Sequence, residues 1–185
     1  MLITPVGFGS WAIGGSGWQF AWGKQNDDDS VAAIHRALEL GVNWIDTAAV
    51  YGLGHSEEVV ARALASWPGP RPYVFTKCGL RWDAQGQTRR VLTATSIRRE
   101  CEESLRRLKV DAIDLYQIHR CDYQTPIEET LEALHDAVKA GKVRYIGASS
   151  MYAWQFAKAL YLSRLNGWTR FVSMQPHYNL IYREE

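Results

Sequence analysis

Short apolar runs alternate with longer amphipathic segments along the whole chain. The runs Val6–Trp11, Asn43–Thr47, Tyr73–Lys77, Ile113–His119, Val143–Ser149 and Phe171–Gln175 are mostly continuous in hydrophobicity. That pattern predicts parallel strands covered on both faces. Between them lie helical segments with recognisable ends. Val31, Ile34 and Leu38 recur at helical spacing behind Asp27-Asp28-Asp29, and Gly41 stands where a C-terminal cap belongs. Ser56 is expected to cap a short helix that has Glu57 and Glu58 in its first turn, where the helix dipole favours carboxylates. From about Thr93 to Leu108, Ile97, Cys101, Leu105 and Leu108 form one stripe, and Glu102/Arg106 and Glu103/Arg107 pair along other faces. Thr125-Pro126-Ile127-Glu128 combines a capping box with proline at the first helical position; Leu131, Leu134 and Val138 follow, and Gly141 ends the helix. A fifth helix is expected from about Tyr152 to Leu165.

Strict strand–helix alternation predicts a parallel sheet with right-handed crossovers. Two architectures fit that pattern. A (β/α)8 barrel takes about 250 residues, roughly 30 per unit, whereas this chain of 185 residues supplies about six units. A doubly wound open sheet would be complete at this length, but as a dinucleotide binder it needs G-x-G-x-x-G between the first strand and helix. Gly7-Phe8-Gly9 and Gly14-Gly15-Ser16-Gly17 do not match that spacing, and a long Trp-containing loop separates them from the first helix. The reading is therefore α/β of the (β/α)8 TIM-barrel type, incomplete in this chain, with residues 1–185 forming a single partial domain.

Composition narrows the function. Lys and Arg number 21 against 20 Asp and Glu, a balance that argues against a nucleic-acid surface. No apolar run reaches the roughly 20 residues of a membrane helix, and the opening MLITPVGFGSW lacks the features of a secretory signal. Cys78, Cys101 and Cys121 are an odd count without a C-x-x-C pair, so a disulfide framework is not expected and a cytoplasmic setting is. A metal site is not expected either. Cys78 and Cys121 lie close to Lys77 and His119, but no third and fourth ligand follow at suitable spacing.

The chemistry-bearing residues gather at the ends of the strands. Asp46 ends the second, Lys77 the third and His119 the fourth, while Tyr51 lies in the loop after the second. All belong to the carboxyl side of the sheet, where barrel enzymes place their active sites. Singly, each has a structural reading: a turn cap for Asp46, a packed ring for Tyr51, a hydrogen-bonded core histidine for His119. Lys77 resists one, because its apolar strand would bury an ammonium that needs a partner, and Asp46 on the neighbouring strand supplies it.

The segments Asn43-Trp44-Ile45-Asp46-Thr47-Ala48-Ala49-Val50-Tyr51-Gly52, Phe75-Thr76-Lys77, Asp114-Leu115-Tyr116-Gln117-Ile118-His119 and Gly141-Lys142-Val143-Arg144-Tyr145-Ile146-Gly147 together resemble the aldo-keto reductase family, from about Val6 to the last residue. The resemblance implies an NADP-dependent carbonyl reductase, with NADPH as cofactor (NADH as the alternative) and a small carbonyl compound as substrate. It implies that Asp46, Tyr51, Lys77 and His119 are a catalytic tetrad. It also implies that Ser149, Ser150 and Gln175 contact the nicotinamide carboxamide, Ser150 standing where the family usually has Asn. The chemistry is coherent: an ammonium near a phenol lowers its pKa and makes it a better acid near neutrality. Tyr51 is read as general acid, Lys77 as its tuner, Asp46 as the partner of Lys77 and His119 as the donor that orients the carbonyl. Trp11, Trp18, Trp22 and Trp82 are expected to rim the substrate pocket, and Trp44, Trp67, Trp154 and Trp168 to pack the core.

The resemblance also implies a longer barrel with two further strand–helix units that hold the cofactor's phosphates. A six-stranded piece is expected to expose two apolar edges, inviting a second copy or a complementing chain. A catalytically impaired barrel acting as a scaffold is the competing function. A Schiff-base aldolase built on Lys77 is the third reading, and it leaves Tyr51 and Asp46 without a task.

Overall fold

The structure, a computed structural model, describes residues 1–184. Six strands, β1 (Phe8–Gly9), β2 (Trp44–Asp46), β3 (Tyr73–Cys78), β6 (Ile113–Ile118), β7 (Val143–Ser149) and β8 (Met174–Gln175), pair in parallel. Between β3 and β6 lies a separate antiparallel hairpin, β4 (Leu80–Trp82) with β5 (Thr88–Arg90). The parallel strands lie side by side in chain order, β1-β2-β3-β6-β7-β8. A doubly wound sheet must reverse its order at a switch point, and this one never does. Each unit adds beside the last, and the right-handed twist curls the row into a half-barrel.

The helices α1 (Asp27–Glu39), α2 (His55–Ser66), α3 (Ala94–Leu108), α4 (Ile127–Lys139) and α5 (Ala153–Asn166) cover the outer face. Two apolar clusters join them to the sheet. Ile34, Leu38, Val59 and Val60 meet Ile45 and Val74 in one; Ile97, Cys101, Leu131 and Leu134 meet Tyr116, Ile118 and Ile146 in the other. Each fully buried branched side chain contributes about 1.5–3 kcal/mol. Buried carboxylates tie the same layer together. Glu57, at the start of α2, accepts from the Thr76 hydroxyl and from Arg107 Nε, both at 2.6 Å. Asp114 accepts from the Val74 N–H at 2.9 Å and from Arg71 at 2.8 Å.

Local chemistry shifts several boundaries. Asn26, rather than the aspartates, caps α1, its side chain accepting from the Asp28 and Asp29 N–H groups. Ser56 lies inside α2, where its hydroxyl donates inward to the Ser10 carbonyl at 2.9 Å, and Gly54 takes the cap position. At α4, Pro126 occupies the cap, and the Thr125 hydroxyl donates to Asp122 instead of closing a capping box. The β4–β5 hairpin has no clear alternation in its sequence. Its turn is made by Asp83, which accepts from the Gln85 and Gln87 N–H groups.

The outer strands are also shorter than their apolar runs. β1 and β8 keep two residues each, so the expected long apolar edges are replaced by short ones. An apolar hollow lies on the concave inner face. There Trp44, Phe75, Leu115, Tyr145 and Met174, with Met1 and Ile3 of the N-terminal segment, surround about 490 Å³. No helix among the described residues is long and apolar enough to cross a membrane.

Candidate active site

Strand alternation decides what reaches the inner face. Trp44 and Asp46 of β2, Phe75 of β3, Leu115 and Gln117 of β6 and Tyr145 of β7 line the hollow. Lys77 follows Phe75 by two and points the same way. The apolar members lie deeper and the polar ones at the carboxyl ends, so one short stretch of barrel wall becomes the floor of a polar site.

Lys77 is 3% exposed. Its Nζ donates to Asp46 Oδ2 at 2.7 Å and to the Thr47 carbonyl at 2.9 Å. Burial alone would lower its pKa. The Asp46 charge, with help from Tyr51, overcomes that penalty and holds the ammonium above its ordinary value. Asp46 is braced in turn, accepting from Gln117 Nε2 on Oδ1 and from Gln175 Nε2 on Oδ2, both at 3.3 Å.

Tyr51 emerges from a tight turn after β2 in which Gly52 and Leu53 both take left-handed backbone angles, φ of 61° and 54°. That turn presses on the loop after β1. A Cβ on Gly14 would lie 2.6 Å from the Gly52 nitrogen, and one on Gly52 would lie 2.3 Å from the Gly14 carbonyl oxygen. Only two glycines permit this backbone-on-backbone approach. The Tyr51 ring stacks on Trp11 (centroids 5.7 Å apart, 13° between planes) and meets His119 edge-on at 5.7 Å. Lys77 Nζ sits 5.2 Å from the Tyr51 ring centroid. The expected lowering of the Tyr51 pKa is not the net result. Burial raises it, and the pull of Lys77 only partly offsets that, so the phenol keeps its proton at neutral pH.

His119 follows β6, and its backbone N–H donates to the Cys78 carbonyl at 2.9 Å. Burial first, then the charges of Lys77 and Arg120, push its imidazole pKa well below the ordinary value. The ring is neutral and offers one N–H and one lone pair.

Tyr51 and His119 open into a cleft of about 480 Å³ walled by Trp11, Trp18 and Phe20. Of the four expected rim tryptophans, Trp11 and Trp18 line it. Trp22 stacks on the far side of Trp11 and is 76% exposed, and Trp82 packs beneath with Trp18 and Tyr51. Trp44 stacks on Phe75, Trp67 joins the cluster of α1 and α2, and Trp168 joins that of α4 and α5. Trp154 departs from expectation: it is 66% exposed on α5.

Ser149, Ser150 and Gln175 gather where β7 and β8 end. Ser149 Oγ donates to the Gln175 carbonyl at 3.1 Å, leaving its lone pairs to accept. Ser150 is half-buried with φ of 48°. The Gln175 amide donates to Asp46, so the two clusters touch. Sequence reasoning passed over Gln117, whose signal was its position two residues before His119 on the same strand face. It also passed over the arginines of the cleft. Among the described residues no group of three or more His, Cys, Asp or Glu could hold a metal ion, and the three cysteines are free and buried.

The order of these elements has counterparts in known proteins. The sequence model of the Aldo/keto reductase family matches residues 5–185. This chain belongs to that family. It is 41% identical to Aldo-keto reductase AMT2 of Alternaria alternata, a match covering 100% of this chain and 56% of the relative. It is 38% identical to the versiconal hemiacetal acetate reductase of Aspergillus parasiticus, covering 100% of this chain and 58% of that one. Among solved structures it superposes on the glycerol dehydrogenase AKR11B4 of Gluconobacter oxydans with a TM-score of 0.84 and 41% identity, over 98% of this chain and 53% of the other. The holo form of the aldo-keto reductase AKR11C1 from Bacillus halodurans gives a TM-score of 0.80 at 28% identity, over 95% and 54%. The aldo/keto reductase chain described here thus spans about half the length of the relatives it matches, and the curled row of six strands is the corresponding half of a (β/α)8 barrel.

Proposed function

We propose that this chain carries the catalytic side of an NADPH-dependent reductase of small aldehydes and ketones acting in the cytoplasm, with NADH as the alternative donor. The reading rests above all on Lys77, held at 2.7 Å by Asp46 and 5.2 Å from the centre of the Tyr51 ring. A buried ammonium, a buried phenol and a neutral imidazole meeting at one cleft have no structural economy otherwise.

A nicotinamide held beside Ser149, Ser150 and Gln175 would supply the hydride that the carbonyl carbon needs. Tyr51 gives its phenolic proton to the carbonyl oxygen, so the product is the alcohol. The electron pair left on the Tyr51 oxygen is stabilised by Lys77 until solvent returns a proton. His119 donates its N–H to the same carbonyl oxygen, orienting it and easing the developing charge. Asp46 keeps Lys77 charged and placed, and Gln117 keeps Asp46 placed. A primary carboxamide needs acceptors for its N–H groups and donors for its oxygen. The free lone pairs of Ser149, the hydroxyl of Ser150 and the amide of Gln175 fit that need and would hold it. Mixing the full protein with NADPH and a panel of aldehydes and ketones is expected to oxidise NADPH only when a carbonyl is present. No consumption across the panel would overturn the assignment.

The inner face carries a second part of this reading. Met1 and Ile3 already line part of the inner hollow, and its open mouth, with the unpaired edges of β1 and β8, is what a second copy or a complementing chain segment would cover. Residues 1–185 alone are expected to sediment as an associated species at micromolar concentration, and a monodisperse monomer contradicts this.

A further inference from the structure

The cleft that holds Tyr51 and His119 is also lined by Arg89 and Arg90 of β5 and by Arg120, the residue after His119. Among the described residues no Asp or Glu lines it. Among the described residues the side chains of Arg89 and Arg120 have no ion-pair or hydrogen-bond partner, and Arg90 reaches only the Cys121 carbonyl, at 3.5 Å. The carboxylates of neighbouring elements are already committed. Glu103 of α3 serves Arg81 and Arg99 at 2.8 and 2.7 Å. Asp122, close in sequence, accepts from the Leu92 and Gln124 N–H groups and the Thr125 hydroxyl. Asp46, below the floor, is engaged by Lys77.

The hairpin register sorts these arginines. Arg90 lies directly across the antiparallel ladder from Leu80, which also lines the cleft. Arg89, its chain neighbour, lies across from Arg81 on the opposite face, where Glu103 pairs with Arg81. A small anion in the cleft would answer Arg90 and Arg120. Guanidinium groups suit this task, since they offer paired N–H donors to the two oxygens of a carboxylate.

We propose that the cleft selects carbonyl compounds bearing a carboxylate remote from the carbonyl, with Arg90 and Arg120 holding the carboxylate while the carbonyl oxygen lies at Tyr51 and His119. The walls of Trp11 and Trp18 suit a flat or aliphatic body between the two polar ends. A volume of about 480 Å³ suits a small oxo acid. The proposal depends on the reductase reading for where the carbonyl lies, but not for the binding of the anion.

The test separates the two. Tryptophan fluorescence of the full protein, without NADPH, is titrated at low salt with para-formylbenzoate and with its methyl ester. The carboxylate is expected to bind at least about tenfold more tightly, and added salt to erode the difference as it screens exposed charges. Arg90→Gln and Arg120→Gln are each expected to reduce the preference severalfold, the pair to abolish it, and Arg→Lys at either site to restore part. Equal binding of the two compounds overturns the proposal. So does no binding of either, or a preference that survives the double substitution. Turnover with NADPH is then read on both aldehydes. Carboxylate binding with no reduction of either leaves the anion site standing and removes the reductase. Reduction of both at equal kcat/KM leaves the reductase standing and removes the selectivity.

Discussion

Replacing Tyr51 by Phe is expected to lower kcat by about 10²–10⁴-fold, the usual worth of a positioned acid, with NADPH affinity nearly unchanged. The substitution removes one oxygen and keeps the ring. The stack on Trp11 and the edge contact with His119 therefore survive, and the cleft keeps its shape. What is lost is the proton that the carbonyl oxygen must receive. The Tyr51 pKa lies above the ordinary phenol value because burial outweighs Lys77. The wild-type side chain is thus fully protonated at neutral pH and ready to act in the reducing direction. Steady-state kinetics beside a cofactor titration checks both halves. A Phe variant with normal turnover would remove Tyr51 from the mechanism.

Lys77→Met is expected to damage folding as well as chemistry. It leaves Asp46 buried at 8% exposure without its counter-charge, and breaking a buried pair this way typically costs about 3–5 kcal/mol. A denaturant midpoint well below wild type should show it. Adding Asp46→Asn should recover part of the loss, because the stranded charge is then gone. The pH dependence has a definite sign. The folded-state pKa of Lys77 is raised above its ordinary value, which is about 10.4 in an unfolded chain. The contribution of the pair is fully present below that value and is lost as pH rises through the folded-state pKa. Wild type should therefore weaken at alkaline pH in a step that Lys77→Met lacks. Two variants with the same alkaline profile would show that Lys77 does not carry the linkage.

Much of this site was legible in the sequence because parallel strands broadcast their ends. Asp46, Lys77 and His119 each close or follow an apolar run, so the topology alone brought them to one rim. Their distances were not legible. Neither was the balance of forces on Tyr51, where the ammonium was expected to win and burial wins. The β4–β5 hairpin escaped notice because its turn depends on one aspartate side chain and its strands are too short to show alternation. With it went Arg90, which joins Arg120 in the cleft. The edges were misjudged for a related reason. An apolar run marks what could be a strand, but a strand with one neighbour keeps only the residues that neighbour can pair.

One hydrogen bond carries a temporal meaning. Gln175 reaches Asp46 across 129 positions of sequence. During synthesis, the acid that steadies Lys77 waits through 129 further positions of sequence before this brace arrives. A nascent polypeptide cut short of that residue would already own Asp46, Tyr51, Lys77 and His119, yet hold them on an unfinished foundation.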